Sequence, residues 1–226
     1  MNDFKGAIEA IIDIAKETNN IVEGDYIGKD NLYYCGKCNT QKQTVITLFG
    51  ETRVVPCICE CQVAERKAEE EARKQRDFFD RVMRLRNVGF PEKAMKEWTF
   101  ENDDGGNPTL TNAMKNFVEN FQTFKEEGKG LLLFGNVGTG KTYLAACVAN
   151  ALISKGIPCL VTNFARIANE VQGMFEGKQR YYDNLNTFPL LVIDDLSAER
   201  KTEYMQEIVF NVIDSRYRAN LPIIIT

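Results

Sequence analysis

Residues 130–142 read Gly130-Leu131-Leu132-Leu133-Phe134-Gly135-Asn136-Val137-Gly138-Thr139-Gly140-Lys141-Thr142, and this stretch decides the fold. Within it, GNVGTGKT matches the phosphate-loop pattern G-x-x-x-x-G-K-[ST]. The apolar run Leu131, Leu132, Leu133, Phe134 has the length of a short buried strand. Residues 143–155 (YLAACVANALISK) are Ala-rich at helical spacing, so a helix begins where the loop ends. Strand, glycine loop, helix is the order this motif requires. A plain glycine turn between a strand and a helix is the competing reading, and the flanks and a second motif weigh against it.

The residue types follow from the chemistry. Gly135, Gly138 and Gly140 let the backbone turn tightly and approach an anion without a Cβ in the way. The freed N–H groups and the positive helix end then point at phosphate. The candidate cradle is Gly135, Asn136, Val137, Gly138, Thr139, Gly140, Lys141, Thr142 and Tyr143. Lys141 has the reach for the β and γ phosphates, and the Thr142 hydroxyl is a candidate Mg²⁺ ligand. The second motif is Pro189-Leu190-Leu191-Val192-Ile193-Asp194-Asp195, an apolar run ending in two acids. It reads as a buried strand carrying Asp194 to a position beside Mg²⁺ and Asp195 to one where it orients or deprotonates water. Alone, such a run is a weak signal; ~50 residues after a phosphate loop it is a strong one.

Composition bounds the rest. The 226 residues suffice for one full domain and a small one. A net charge of −4 leaves no global basic footprint, so nucleic-acid contact requires a local patch or an assembled oligomer. No apolar run approaches ~18 residues, so no membrane span is expected. The first residues, MNDFKGAIEAIIDIAKE, do not have the form of a signal peptide, and a cytoplasmic protein is expected. With no histidine in the chain, no catalytic or metal site can use one.

Five of the seven cysteines fall between Cys35 and Cys61. Cys147 and Cys159 stand alone in apolar surroundings and read as core. Clustered cysteines in a reducing compartment point to metal rather than disulfides. Cys35-Gly36-Lys37-Cys38 and, further on, Cys57-Ile58-Cys59-Glu60-Cys61 have zinc spacing. Five thiols compete for four positions; Cys35, Cys38, Cys59 and Cys61 are the expected Zn²⁺ ligands, with Cys57 the alternative. Between the pairs, residues 44–49 and 52–55 flank Gly50-Glu51 as a β-hairpin, so the module resembles a zinc ribbon. A closed four-thiolate site is structural.

Residues 6–18 form a candidate amphipathic helix, and residues 62–85 a charged linker helix with Glu69–Arg73 and Glu70–Lys74 pairs. Phe78, Phe79, Val82, Met83 and Leu85 are expected to dock the end of that helix on the second domain. Trp98 and Phe100 are candidate walls of an adenine pocket or core aromatics. Helices are expected over 110–127, 163–175 and 201–217, and strands over 158–162, 190–194 and 221–226. Alternating strands and helices mean a parallel α/β sheet. The expected domains are 1–61 (zinc-binding), 62–90 (linker) and 91–226 (ATPase).

The segments GNVGTGKTYLAACVANALISKG, PLLVIDDLSAER and IDSRYRANLPIIIT resemble the ATPase core of DnaC-type helicase loaders and their IstB-type relatives, a branch of the AAA+ proteins. The cysteine module, the linker helix and WTFEND resemble phage and Gram-positive members. The resemblance implies an ATP-switched protein that binds ATP or ADP with Mg²⁺. It also implies that the N-terminal region contacts the replicative DNA helicase, that the protein places that helicase on single-stranded DNA, and that it assembles as a homo-oligomer. Carried over by position, Lys141 and Thr142 bind phosphate and Mg²⁺, Asp194 binds Mg²⁺, Asp195 activates water, and Trp98 and Phe100 border adenine. The sequence departs from the family at its end: a γ-phosphate sensor, an arginine finger and a last strand are expected beyond residue 226. Their absence implies a truncated chain with slow turnover, since an arginine finger is worth ~10³ or more in rate. A transposition-helper ATPase of the IstB type and a non-catalytic zinc and nucleotide adaptor are the other readings. Partner binding separates the first from the loader; function surviving Lys141→Ala identifies the second.

Overall fold

The computed structural model describes residues 21–174, 176–196 and 202–226. The chain divides into two compact units, Met1–Arg76 and Asp77–Thr226. The candidate helix over 6–18 lies outside the described residues, as do Phe175 and the SAER residues that follow the acidic motif. Among the described residues, no helix is long and apolar enough to cross a membrane.

In the first unit, β1 (Tyr26–Ile27) pairs antiparallel with β2 (Tyr33–Tyr34). Strands β3 (Gln43–Leu48) and β4 (Glu51–Pro56) form the hairpin. Its turn is Phe49-Gly50, one residue earlier than Gly50-Glu51, because Glu51 already pairs with Leu48. Phe49 and Gly50 both have positive φ (52° and 82°), as a two-residue turn matched to strand twist demands. Helix α1 (Glu60–Gly89) overruns the expected 62–85 at both ends, and the boundary between the units falls within it.

The second unit holds a parallel four-stranded sheet. The strands are β5 (Leu131–Leu132), β6 (Cys159–Thr162), β7 (Leu190–Ile193) and β8 (Ile223–Ile225), in the order β5-β8-β7-β6. Alternate strand residues serve two cores. Val161, Leu190, Val192 and Ile224 pack with α2 (Pro108–Glu119), α3 (Phe121–Glu126) and α4 (Lys141–Ser154). Leu191, Ile193, Ile223 and Ile225 pack with α5 (Phe164–Gln172), α6 (Lys178–Leu185) and α7 (Glu203–Arg218). The result is a sheet between two helical layers, the arrangement that period-two apolar strands impose. Helix α4 is buried almost throughout, which explains its lack of a polar face.

Several expectations are corrected. The helix expected over 110–127 starts at Pro108, capped by the Asn107 side chain accepting from the Leu110 N–H at 3.1 Å, and breaks at Asn120 into α2 and α3. Residues 180–187, outside the helices and strands expected from the sequence, are mostly helix α6, which buries Tyr182 and Leu185. Of the α1 apolar residues, Val82 and Leu85 pack on the core, whereas Phe79 and Met83 stay exposed. On α7, Ile208 and Val212 are buried while Ile213 is exposed.

Candidate nucleotide site and cysteine cluster

The sheet carries the second motif and the phosphate loop to one edge. Strand β5 runs into Gly135, Gly138 and Gly140, with φ of 147°, 83° and 82°, and Gly140 caps the start of α4. A side chain at the last two would be strained in this left-handed region, which accounts for the glycines. Lys141 Nζ donates to the carbonyls of Gly135 and Asn136, both at 2.9 Å, so its charge sits over the loop mouth. The Thr139 hydroxyl donates to the Asn136 carbonyl at 2.9 Å and braces the turn.

The acidic residues arrive from β7. The Thr142 hydroxyl donates to Asp194 Oδ1 at 2.7 Å across 52 residues of sequence. A hydroxyl and a carboxylate oxygen converging at a helix N-terminus form an oxygen donor set of the kind Mg²⁺ takes beside phosphate. Asp194 also accepts from the Thr226 hydroxyl at 2.7 Å. Asp195 has φ 58°, an uncommon conformation for a non-glycine residue, and its N–H donates to the Thr226 hydroxyl at 3.0 Å.

A cavity of about 420 Å³ opens beside the loop, lined by Asn102, Asp103, Asp104, Gly106, Asn107, Gly138, Thr139, Gly140, Tyr143 and Leu144. Trp98 and Phe100 are not among its lining residues. Both pack against the core, Trp98 against Tyr143 with ring centroids 5.6 Å apart. The Trp98 carbonyl accepts from Asn150 Nδ2 at 2.9 Å, which ties this segment to α4. Tyr143 donates to the Thr99 carbonyl at 2.7 Å, and burial pushes its phenol up to about 12. The sequence marks 101–108 as a polar, glycine-rich loop but does not assign it to the site. Its signal was the run of Asn, Asp and Gly ahead of a capped helix, which marks a loop but not what the loop faces.

In the first unit, the sulfurs of Cys35, Cys38, Cys59 and Cys61 lie within 4.8 Å of one another. Zn–S bonds of ~2.3 Å in a tetrahedron place sulfurs about 3.8 Å apart, so the cluster is the right size for one ion. Cys57 faces elsewhere, with its thiol 3.4 Å from the Gln41 carbonyl, and burial pushes that thiol up. Cys38 is held down to about 5, chiefly by the Thr40 hydroxyl 3.0 Å away. Cys35 is lowered by the N–H groups of Cys38 and Lys37. Cys61 is pushed up to about 12 by sharing hydrogen bonds with the sulfurs of Cys59 and Cys35, its crowded partners. Thiols packed this closely cannot all ionise without a cation between them. The knuckle is tight: a Cβ on Gly36 would sit 2.0 Å from the Gly24 carbonyl. Asp25 closes it, accepting from the Gly36 N–H at 3.2 Å and pairing with the buried Lys42.

The sequence model of the family described as IstB-like ATP binding protein matches residues 60–226, well over half of the chain. The chain belongs to this family. Other proteins similar to this IstB-like chain carry more specific names. Replicative helicase loader DnaI of Bacillus subtilis (strain 168) is 28% identical over 130 residues, 55% of this chain and 42% of that protein. Replicative helicase loader DnaC of Escherichia coli (strain K12) is 25% identical over 115 residues, 49% of this chain and 47% of that protein. The IstB-like chain thus matches about half or less of the length of these relatives. A crystal structure of DnaI superposes with a TM-score of 0.50 at 25% identity, covering 61% of this chain and 76% of that one. A crystal structure of the DnaC helicase loader gives 0.50 at 26% identity, over 60% and 79%. The parallel sheet and its helices are therefore the AAA+ fold of these loaders.

Proposed function

We propose that this protein is an ATP-dependent loader of a replicative DNA helicase, with an ATPase site in Asp77–Thr226 and a structural zinc site in Met1–Arg76. The observation that carries the ATPase reading is the 2.7 Å bond from Thr142 to Asp194, which joins the two motifs at the glycine loop. Lys141 is placed to leave the two loop carbonyls for the β and γ phosphates. Thr142 and Asp194 would hold Mg²⁺, which when bound neutralises charge on the phosphoryl oxygens. Asp195 orients the attacking water, and Gly135, Asn136, Val137, Gly138, Thr139 and Gly140 wrap the phosphates. The cavity lined by the 102–107 turn and Tyr143 would hold the base. Cys35, Cys38, Cys59 and Cys61 hold Zn²⁺, supported by their spacing and by the exclusion of Cys57.

Loading is supported by the names of the relatives, DnaI and DnaC. In this reading the cysteine unit contacts the helicase, single-stranded DNA is the receiving strand, and copies of the chain assemble on it. The decisive experiment is co-purification with the host replicative helicase, with and without ATP and Mg²⁺, using the wild type and Lys141→Ala. A nucleotide-dependent complex that needs the cysteine unit supports the loader. No complex under any condition, with nucleotide binding intact, refutes it in favour of a transposition helper. Lys141→Ala is expected to weaken nucleotide binding roughly 10- to 100-fold, the worth of a lost charge-assisted contact.

A further inference from the structure

We infer that Thr226 is a positioning residue for both acids of the ATPase site, holding Asp194 and Asp195 through one hydroxyl at the tip of β8. This rests on the nucleotide-site reading above. The hydroxyl donates to Asp194 Oδ1 at 2.7 Å and accepts the Asp195 N–H at 3.0 Å, so its hydrogen and a lone pair are both engaged. The Asp194 oxygen it touches is also the one bonded by Thr142. Thr226 therefore reaches the candidate Mg²⁺ side and, through the backbone, the residue proposed to orient water.

The backbone of Thr226 is held independently. Its N–H donates to the Ile193 carbonyl at 3.0 Å, and its carbonyl accepts from the Leu196 N–H at 2.9 Å. These ladder bonds survive any side-chain change, so loss of the hydroxyl alone can be isolated. The hydroxyl also restrains Asp195, whose φ of 58° is otherwise uncommon for a residue with a side chain. Without it, Asp194 loses a donor that fixes its rotamer and the Asp195 N–H loses its acceptor. Groups that orient metal-binding side chains in this way are typically worth about 10- to 100-fold in metal affinity.

The test is titration of a fluorescent ADP analogue with the full chain, first in EDTA and then across Mg²⁺ concentrations, for the wild type, Thr226→Val, Thr226→Ala and Thr226→Ser. The expected result is unchanged metal-free binding in all four, with the Mg²⁺ midpoint raised about 10- to 100-fold in the Val and Ala variants and restored by Ser. Thermal unfolding of each variant checks that the fold is retained, and Ala serves where the added Val methyl crowds the site. Equal Mg²⁺ midpoints in the wild type and both hydroxyl-free variants, or tighter binding in those variants, overturn the inference while leaving the nucleotide site standing. Failure of the wild type to bind nucleotide at all overturns the nucleotide site itself and this inference with it.

Discussion

Arg216 is the most deeply buried charge among the described residues, only 1% exposed. Its guanidinium donates to the carbonyls of Leu185 (3.3 Å), Phe188 (2.8 Å), Pro189 (3.2 Å) and Pro222. Those carbonyls lie at the end of α6, just before β7 and just before β8, so one side chain pins three chain segments. Burial pulls its ionisation down to about 10, which leaves it charged at pH 7. Arg216→Met keeps much of the volume and removes every donor. The bonds to Leu185 and Pro222 are buried and those to Phe188 and Pro189 partly so. Water can rescue the second pair and the Leu185 carbonyl keeps the Phe188 N–H at 3.3 Å, so the change loses the charged bond to Leu185, at ~1.5–3 kcal/mol, and leaves the Pro222 carbonyl unsatisfied, at ~1–3 kcal/mol. The relief of no longer burying a cation offsets part of this, leaving about 3 kcal/mol. That is a large share of the ~5–15 kcal/mol that holds a domain together. In urea, with a slope near ~2 kcal/mol per molar, the midpoint should fall by about 1.5 M. Arg218→Met is the internal control. Its side chain is 78% exposed and pairs with Asp214 one helical turn away, so its loss should cost under ~0.5 kcal/mol. Equal shifts for the two variants, or a shift under ~0.5 M for Arg216→Met, would refute the reasoning that the carbonyl cage anchors the sheet.

Other outcomes follow from the first unit. The purified chain should carry one zinc ion by elemental analysis; Cys59→Ser should lose it and Cys57→Ser should keep it, since only Cys59 belongs to the cluster. Gly36→Ala should abolish the knuckle, because the new Cβ would meet the Gly24 carbonyl at 2.0 Å, and loss of zinc retention at neutral pH is the measurement. Asp25 has its carboxyl lowered below 3.8, first by its bond to Lys42 and then by the Val22 N–H. Its folded value lies below its unfolded one, so its stabilisation is complete above that unfolded value and is lost as pH falls through the folded value. Asp25→Asn should therefore destabilise the cysteine unit at pH 7 and flatten its acid unfolding below about pH 4, as followed by near-ultraviolet circular dichroism.

The phosphate loop, the acidic strand and the parallel sheet were legible because each is local. Glycines, a lysine and a threonine at fixed offsets are dictated by backbone geometry and phosphate chemistry. Apolar runs separated by helical stretches specify a buried parallel sheet without reference to partners. The same locality explains the errors. The hairpin turn was misplaced by one residue because register depends on pairing across the strands, here Leu48 with Glu51. The helix over 178–185 was missed because its composition is polar, and only packing of Tyr182 and Leu185 beneath α7 makes it worth forming.

Tertiary structure alone decided which distant residues meet. The sequence already favoured Cys59 and Cys61 but left Cys57 open as the alternative; what separates them is the direction of each side chain where β4 hands over to α1, which spacing does not set. Trp98 and Phe100 offered aromatic surface in the sequence, but both are partly buried against the core, Trp98 on Tyr143 of α4, and the cavity beside the loop is lined by the 102–107 turn instead. Thr226 carries no motif, and its link to Asp194 spans 32 residues through the β7–β8 register. Sequence determines what chemistry each short segment can present, because bond geometry and charge act within a few residues. Which of those segments face one another is settled by burial and pairing, which act across the whole chain.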